Sequence, residues 1–114
     1  GAKRVILLSV SAPFHSRLME PAAVKLSAEL DKIEIKDASI PVMDNVTADF
    51  GTAGSVIRDL LIRQVTGSVL WEDSVRKMIA DGITNFIEVG PGRVLSGLIK
   101  KIDPGVGVKT YDET

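Results

Sequence analysis

His15 is the only histidine in the sequence, and imidazole is the side chain whose ordinary titration lies nearest neutral pH, so proton transfer is the first chemistry to consider. It follows the turn Ser11-Ala12-Pro13-Phe14 at the end of an apolar run, where side chains of α/β proteins commonly face a ligand crevice. With no second histidine and no cysteine to share an ion, metal ligation fits it less well than acid–base work, and a purely structural role stays open.

A nucleophilic serine needs a base in reach and, on a hydrolase-like sheet, a GxSxG elbow. No such elbow occurs. Ser55, Ser68 and Ser96 lie close to glycines, but none has glycines at the required spacing on both sides, so cap, loop and helix-packing roles suit them better. Gly90-Pro91-Gly92 leads into a helix N-terminus, whose free N–H groups could hold a phosphate. It lacks the third glycine of GxGxxG and the GK[ST] of a P-loop, and reads equally as a tight turn that needs small residues. Gln64, between Arg63 and Val65 near a helix end, reads as part of a solvated face. Arg17 and Arg63 could meet a carboxylate or phosphate as planar forks, but on sequence grounds they too are solvated.

The elements that must position these residues alternate in type. Val5 to Val10 is a β-branched, Leu-rich run and predicts a strand. Glu20 to Ile33 predicts a helix, with Pro21 in its first turn and Ala22, Ala23, Leu26, Leu30 and Ile33 at helical spacing. Ile40 to Met43 predicts a strand in which Pro41 implies an edge or a first position. Asp49 to Gly54 predicts a loop, after which Ser55 caps a helix carrying Val56, Ile57, Leu60, Leu61 and Val65. A third helix presents Trp71, Val75, Met78 and Ile79 and ends at Gly82. Phe86 to Val89 predicts a strand. The last helix buries Val94, Leu95, Leu98, Ile99 and Ile102, and Val106 to Tyr111 predicts a closing strand. Interleaved strands and helices predict α/β layers around a largely parallel sheet.

The sequence has 114 residues, 45% hydrophobic and 25% charged, enough for one domain or part of one. A formal net charge of -1 supplies no positive field that would gather nucleic acid or an anionic membrane. No apolar run reaches the roughly 18 to 20 residues of a membrane span, so a soluble chain with the cytoplasm as default is expected. The absence of cysteine leaves packing to hold the fold. Gly1-Ala2-Lys3-Arg4 runs straight into an apolar strand without an initiator methionine, which predicts a piece of a longer protein.

Four stretches, VSAPFHSRLMEPAAVKL, IPVMDNV, IRDLLIRQVTGSVLWEDSV and IEVGPGRVLSGLIKKI, together resemble the C-terminal portion of bacterial malonyl-CoA:acyl carrier protein transacylases. The resemblance covers nearly the whole chain, and its most specific parts are PFHSRLM, the RQ before a VLW-type segment, and the EVGPG turn. It implies an α/β hydrolase-like acyltransferase fold, with residues 1–10 as the last strand of a ferredoxin-like small subdomain and residues 11–114 as the C-terminal part of the large one.

By that resemblance His15 is the general base of a serine ester mechanism, and Gln64 supplies the main-chain carbonyl that orients it. Malonyl-CoA and acyl carrier protein are then the substrates, in fatty acid biosynthesis, with no cofactor or metal. The family's nucleophilic serine, malonyl-binding arginine and oxyanion-hole residues lie upstream, so this piece alone is expected to be inactive, and self-association or pairing with the missing N-terminal part is expected. A non-catalytic α/β binding module and a serine hydrolase of similar fold are the competing readings. Lys100 and Lys101 are the candidate contacts for an acidic carrier protein.

Overall fold

The structure is a computed structural model that describes residues 14–112. The expected strand Val5–Val10, and with it the subdomain boundary at residue 10, lies outside the described residues. A 3-10 turn, Arg17–Met19, leads into α1, Glu20–Leu30. A hairpin follows, formed by β1, Val42–Asp44, and β2, Asp49–Gly51. Then come α2, Gly54–Thr66; α3, Trp71–Ala80; β3, Asn85–Val89; α4, Val94–Ile102; and β4, Gly107–Tyr111.

The fold is mixed α/β. Among the described residues β3 and β4 pair in parallel, with Phe86 opposite Val108 and Val89 opposite Tyr111, whereas β1 and β2 pair antiparallel. A largely parallel sheet is therefore too simple a description of these residues. The connection from β3 through α4 to β4 is the crossover that parallel strands require. Its core forms where Val75 of α3, Ile99 of α4 and Val106 before β4 meet, with Trp71, Met78, Phe86 and Val108 packed around them.

Three local expectations are corrected. Asp49 to Gly54 is not all loop, because Asp49–Gly51 returns beside β1 with Phe50 opposite Met43. The Asp44-Asn45 pair thus opens a hairpin turn instead of ending a lone strand. Asp44 accepts from the Val46 N–H at 2.9 Å, the Thr47 N–H at 2.7 Å and the Thr47 hydroxyl at 2.6 Å, and Ala48 completes the turn at φ 55°. Second, α1 stops at Leu30 and leaves Ile33 outside and exposed. Its last turn tightens through Lys32 N–H to Glu29 O and Ile33 N–H to Leu30 O.

Third, Ser55 does not cap α2. The residue before the helix is Ala53, with no side-chain cap of its own, and Asp37 accepts from the Gly54 N–H at 2.8 Å across the chain. That loop passes so close to Gly54 that a Cβ there would strike the Ile35 carbonyl. The end of α3, by contrast, follows the sequence. Gly82, at φ 97°, donates to Ile79 O and Ile83 donates to Met78 O, the paired bonds of a Schellman motif.

Arg58 of α2 reaches across to α1, donating to Ser27 O at 3.3 Å and to Asp31. This link joins the C-terminal half of α1 to the N-terminal half of α2, and so brings the segment before α1, with His15, toward the C-terminal end of α2.

Candidate active site

The structure brings His15 and Gln64 together. The imidazole Nδ1 lies 2.9 Å from the main-chain oxygen of Gln64, across 49 residues of chain. A carbonyl oxygen can only accept, so Nδ1 carries the hydrogen, and a neutral ring keeps its lone pair on Nε2. The bond thereby selects the tautomer that can take a proton at Nε2. His15 itself is exposed and sits at φ 58°, a left-handed conformation that costs a non-glycine residue on the order of 1 kcal/mol. Such strain persists where surrounding contacts hold it, and the Gln64 bond is one of them.

Why this carbonyl is available follows from how α2 ends. The last four carbonyls of a helix have no N–H partner within it. Arg63 O receives the Gly67 N–H at 2.9 Å, and Gly67 then leaves in extended geometry, φ -92° and ψ 153°. Gln64 O is left over, and the His15 ring fills it. The side chain of Gln64 is not simply solvated: it is half-buried, and its Nε2 donates to Gly67 O at 3.1 Å and Ser68 O at 3.2 Å. The loop it holds is tied in turn to the hairpin, where Asn45 O accepts the Leu70 N–H at 2.9 Å. Asn45 Oδ1 also lies 2.9 Å from the hydroxyl of Ser74, which is buried in α3.

Arg17 and Arg63 are both exposed, Arg17 in the turn after His15 and Arg63 beside Gln64. Burial pushes the Asp44 carboxyl up, but hydrogen bonds from the Thr47 hydroxyl, the Thr47 and Val46 N–H groups and the charge of Arg63 outweigh it and hold it below the usual range. Arg63 thus acts on the hairpin. A cavity of about 200 Å3 between hairpin and α2 is lined by Val42, Met43, Asn45, Ile57, Leu61 and Gln64. A larger open trough of about 580 Å3, lined by Arg93, Lys100 and Lys109, includes neither His15 nor Gln64, so size does not mark the site.

The Gly90-Pro91-Gly92 turn is not an anion site in this structure. Glu88 occupies the N-terminus of α4, accepting from the Ser96 hydroxyl at 2.7 Å, the Ser96 N–H at 3.0 Å and the Leu95 N–H at 3.3 Å. The Ser96 hydroxyl leads in holding the Glu88 carboxyl below its usual range; the backbone N–H bonds assist and partial desolvation opposes. A phosphate there would displace or repel a carboxylate. Sequence reasoning missed Glu88, because the N–H groups it caps lie seven and eight residues further on and nothing in residue type or spacing marks it. Lys100 and Lys101 are both exposed, and Lys100 also donates to Val106 O at 2.6 Å. No helix among the described residues is long and apolar enough to cross a membrane.

In sequence and in fold the chain is similar to known malonyltransferases. The malonyl CoA-acyl carrier protein transacylase of Bacillus subtilis is 55% identical over 103 residues, which are 90% of this chain and 32% of that protein. The Escherichia coli K12 protein of the same name is 49% identical over 102 residues, 90% of this chain and 33% of that one. An acyl carrier protein S-malonyltransferase from Vibrio cholerae superposes on 100% of this chain and 37% of its own, with a TM-score of 0.93 at 40% identity. A malonyl-transacylase solved in complex with its type II polyketide acyl-carrier protein covers 98% and 36%, with a TM-score of 0.87 at 38% identity. No family model matches.

In sequence and fold the chain corresponds to the C-terminal portion of malonyl CoA-acyl carrier protein transacylases. It spans about a third of the length of the curated relatives it matches.

Proposed function

We propose that this chain is the C-terminal part of an acyltransferase that carries a malonyl group from malonyl-CoA to the pantetheine thiol of acyl carrier protein, in fatty acid biosynthesis. The observation that carries the reading is the His15 Nδ1 to Gln64 O bond, which leaves Nε2 as the proton acceptor. In this mechanism an upstream serine hydroxyl attacks the malonyl thioester while Nε2 of His15 takes its proton. The tetrahedral intermediate collapses to the serine ester, and the imidazolium returns the proton to the departing CoA sulfur. The pantetheine thiol then gives a proton to His15 and attacks the ester, and the serine regains its hydrogen. Gln64 O holds the ring through both halves, filling the orienting place that a carboxylate has in a Ser-His-Asp triad.

On this reading the described residues belong to the second part of a hydrolase-like subdomain. The upstream portion supplies nucleophile and oxyanion donors, so the 114 residues alone are inactive. It also covers apolar surface: Ile87 and Val89, 66% and 76% exposed, lie on the face of β3 turned away from α3 and α4. Parallel sheets are ordinarily covered on both faces, and either the upstream portion or a second copy meets that need.

The test is malonyl transfer from malonyl-CoA to an acyl carrier protein by this chain and by a form extended upstream through the nearest GxSxG. Transfer by the extended form alone supports the proposal. An extended form that releases malonate to water in preference to thiol points to a hydrolase, and one with neither activity overturns the reading.

A further inference from the structure

The side chain of Gln64 is distinct from the carbonyl that holds His15, and its geometry gives it a separate task. We infer that the Gln64 carboxamide is a positioning group that keeps its own carbonyl open to His15, by holding the following loop away from it. This rests on the proposed role of His15 for its functional meaning, but not for its physical content.

In a continuing α-helix the Ser68 N–H would bond to Gln64 O, four residues back. Here the chain turns extended at Gly67, and among the described residues the donor at Gln64 O is the His15 ring. The competing N–H is thus only one peptide rotation away. What opposes that rotation is the pair of bonds from Gln64 Nε2 to Gly67 O and Ser68 O, at 3.1 and 3.2 Å. They fix the carbonyl of the Gly67–Ser68 peptide and that of the next peptide, and because the Ser68 N–H shares a plane with Gly67 O its direction is fixed too. A second tie, from Leu70 N–H to Asn45 O, holds the far end of the loop. Glycine at 67 belongs to the same device, since a Cβ there would lie 2.9 Å from Arg63 O, inside contact distance.

Substituting Gln64→Met keeps side-chain length and helix propensity and removes both donors. The loop is then free to rotate, Ser68 N–H closes the last turn, and His15 loses its acceptor. A second substitution, Ser68→Pro, removes the competing N–H. The extended geometry of Gly67 is the conformation favoured before proline, so Gly67 itself accommodates the change.

The readout is the 15N spectrum of the His15 ring in the 114-residue chain above its titration, where the Nδ1–H and Nε2–H tautomers give different patterns. The wild type is expected to show Nδ1–H as the major neutral form, Gln64→Met to lose it in favour of Nε2–H, and Gln64→Met/Ser68→Pro to recover it. A Gln64→Met protein with the wild-type ring pattern overturns the inference, as does loss without recovery in a folded double variant. Amide exchange in the wild type tests the point even if the variants do not fold. Ser68 N–H is expected to exchange without protection, and a protected Ser68 amide contradicts the inference. A wild type lacking the Nδ1–H form would instead strike at the proposed active site, so the two failures are distinguishable.

Discussion

Gly54→Ala sets two effects of opposite sign against each other at the start of α2. Helix propensity alone favours alanine over glycine by about 1 kcal/mol within a helix, and less at its first position. The structure opposes it. The added Cβ would collide with the Ile35 carbonyl oxygen and lie 2.9 Å from both Ile35 C and Lys36 C, all backbone atoms that no rotamer change can move. The loop must therefore shift, at the 1–3 kcal/mol typical of overpacking, about 2 kcal/mol at mid-range. The shift also pulls Asp37 away from the Gly54 N–H, 2.8 Å distant, and a lost helix cap costs roughly 0.5–2 kcal/mol. The net loss is about 1–4 kcal/mol.

Urea unfolding followed by circular dichroism measures it, and a cycle with Asp37→Ala separates the parts. Asp37→Ala should cost about 1 kcal/mol in the wild type and nearly nothing beside Gly54→Ala, because both remove one contact. A Gly54→Ala protein at least as stable as wild type, or an Asp37→Ala cost that is the same in both backgrounds, would refute the argument.

Two further substitutions test the hairpin and the second helix start. Ala48→Gly should stabilise by a few tenths of a kcal/mol to about 1 kcal/mol, since it relieves a left-handed alanine at φ 55° and loses part of that to chain entropy; a destabilised variant in the same urea assay contradicts it. Glu88 should make stability acid-sensitive. Its folded carboxyl titrates below the usual range, so the unfolded chain binds more protons between the two values. Its contribution is present above the ordinary glutamate range and disappears as pH falls through the lower folded value. Glu88→Gln should flatten that part of the stability–pH curve, and an unchanged slope would show that Glu88 is not its source.

The long periodic elements were readable from the sequence because burial sets their period, although of the stripe expected to be buried on α4 only Ile99 is buried, and Val94, Leu95 and Leu98 are exposed. The Trp71, Val75, Met78 and Ile79 face of α3 meets the core, and Gly82 ends that helix as its lack of a Cβ allows. The strand Phe86–Val89 and the closing strand also appear, extended by a residue at Asn85 and shortened by one at Gly107. What was not readable depends on contacts distant in sequence. Asp37 caps a helix 17 residues on, and Glu88 caps one whose first-turn N–H groups are seven and eight residues on. Asp49–Gly51 lacks the β-branched composition of a strand and becomes one only because β1 lies beside it. At the site, His15 stood out by residue type. Gln64 did not, because its carbonyl is a group that every residue has. Only the resemblance singled it out, and its side-chain bonds to Gly67 and Ser68 had no signature at all.

The most direct test of the central claim is the rate at which the upstream-extended form acquires a malonyl ester from malonyl-CoA, with and without His15→Gln, both shown to be folded. If His15 is the base that Gln64 orients, the substitution should slow ester formation by roughly 10²- to 10⁴-fold at neutral pH, the usual contribution of a positioned base. Ester formation at the wild-type rate in His15→Gln would contradict the account.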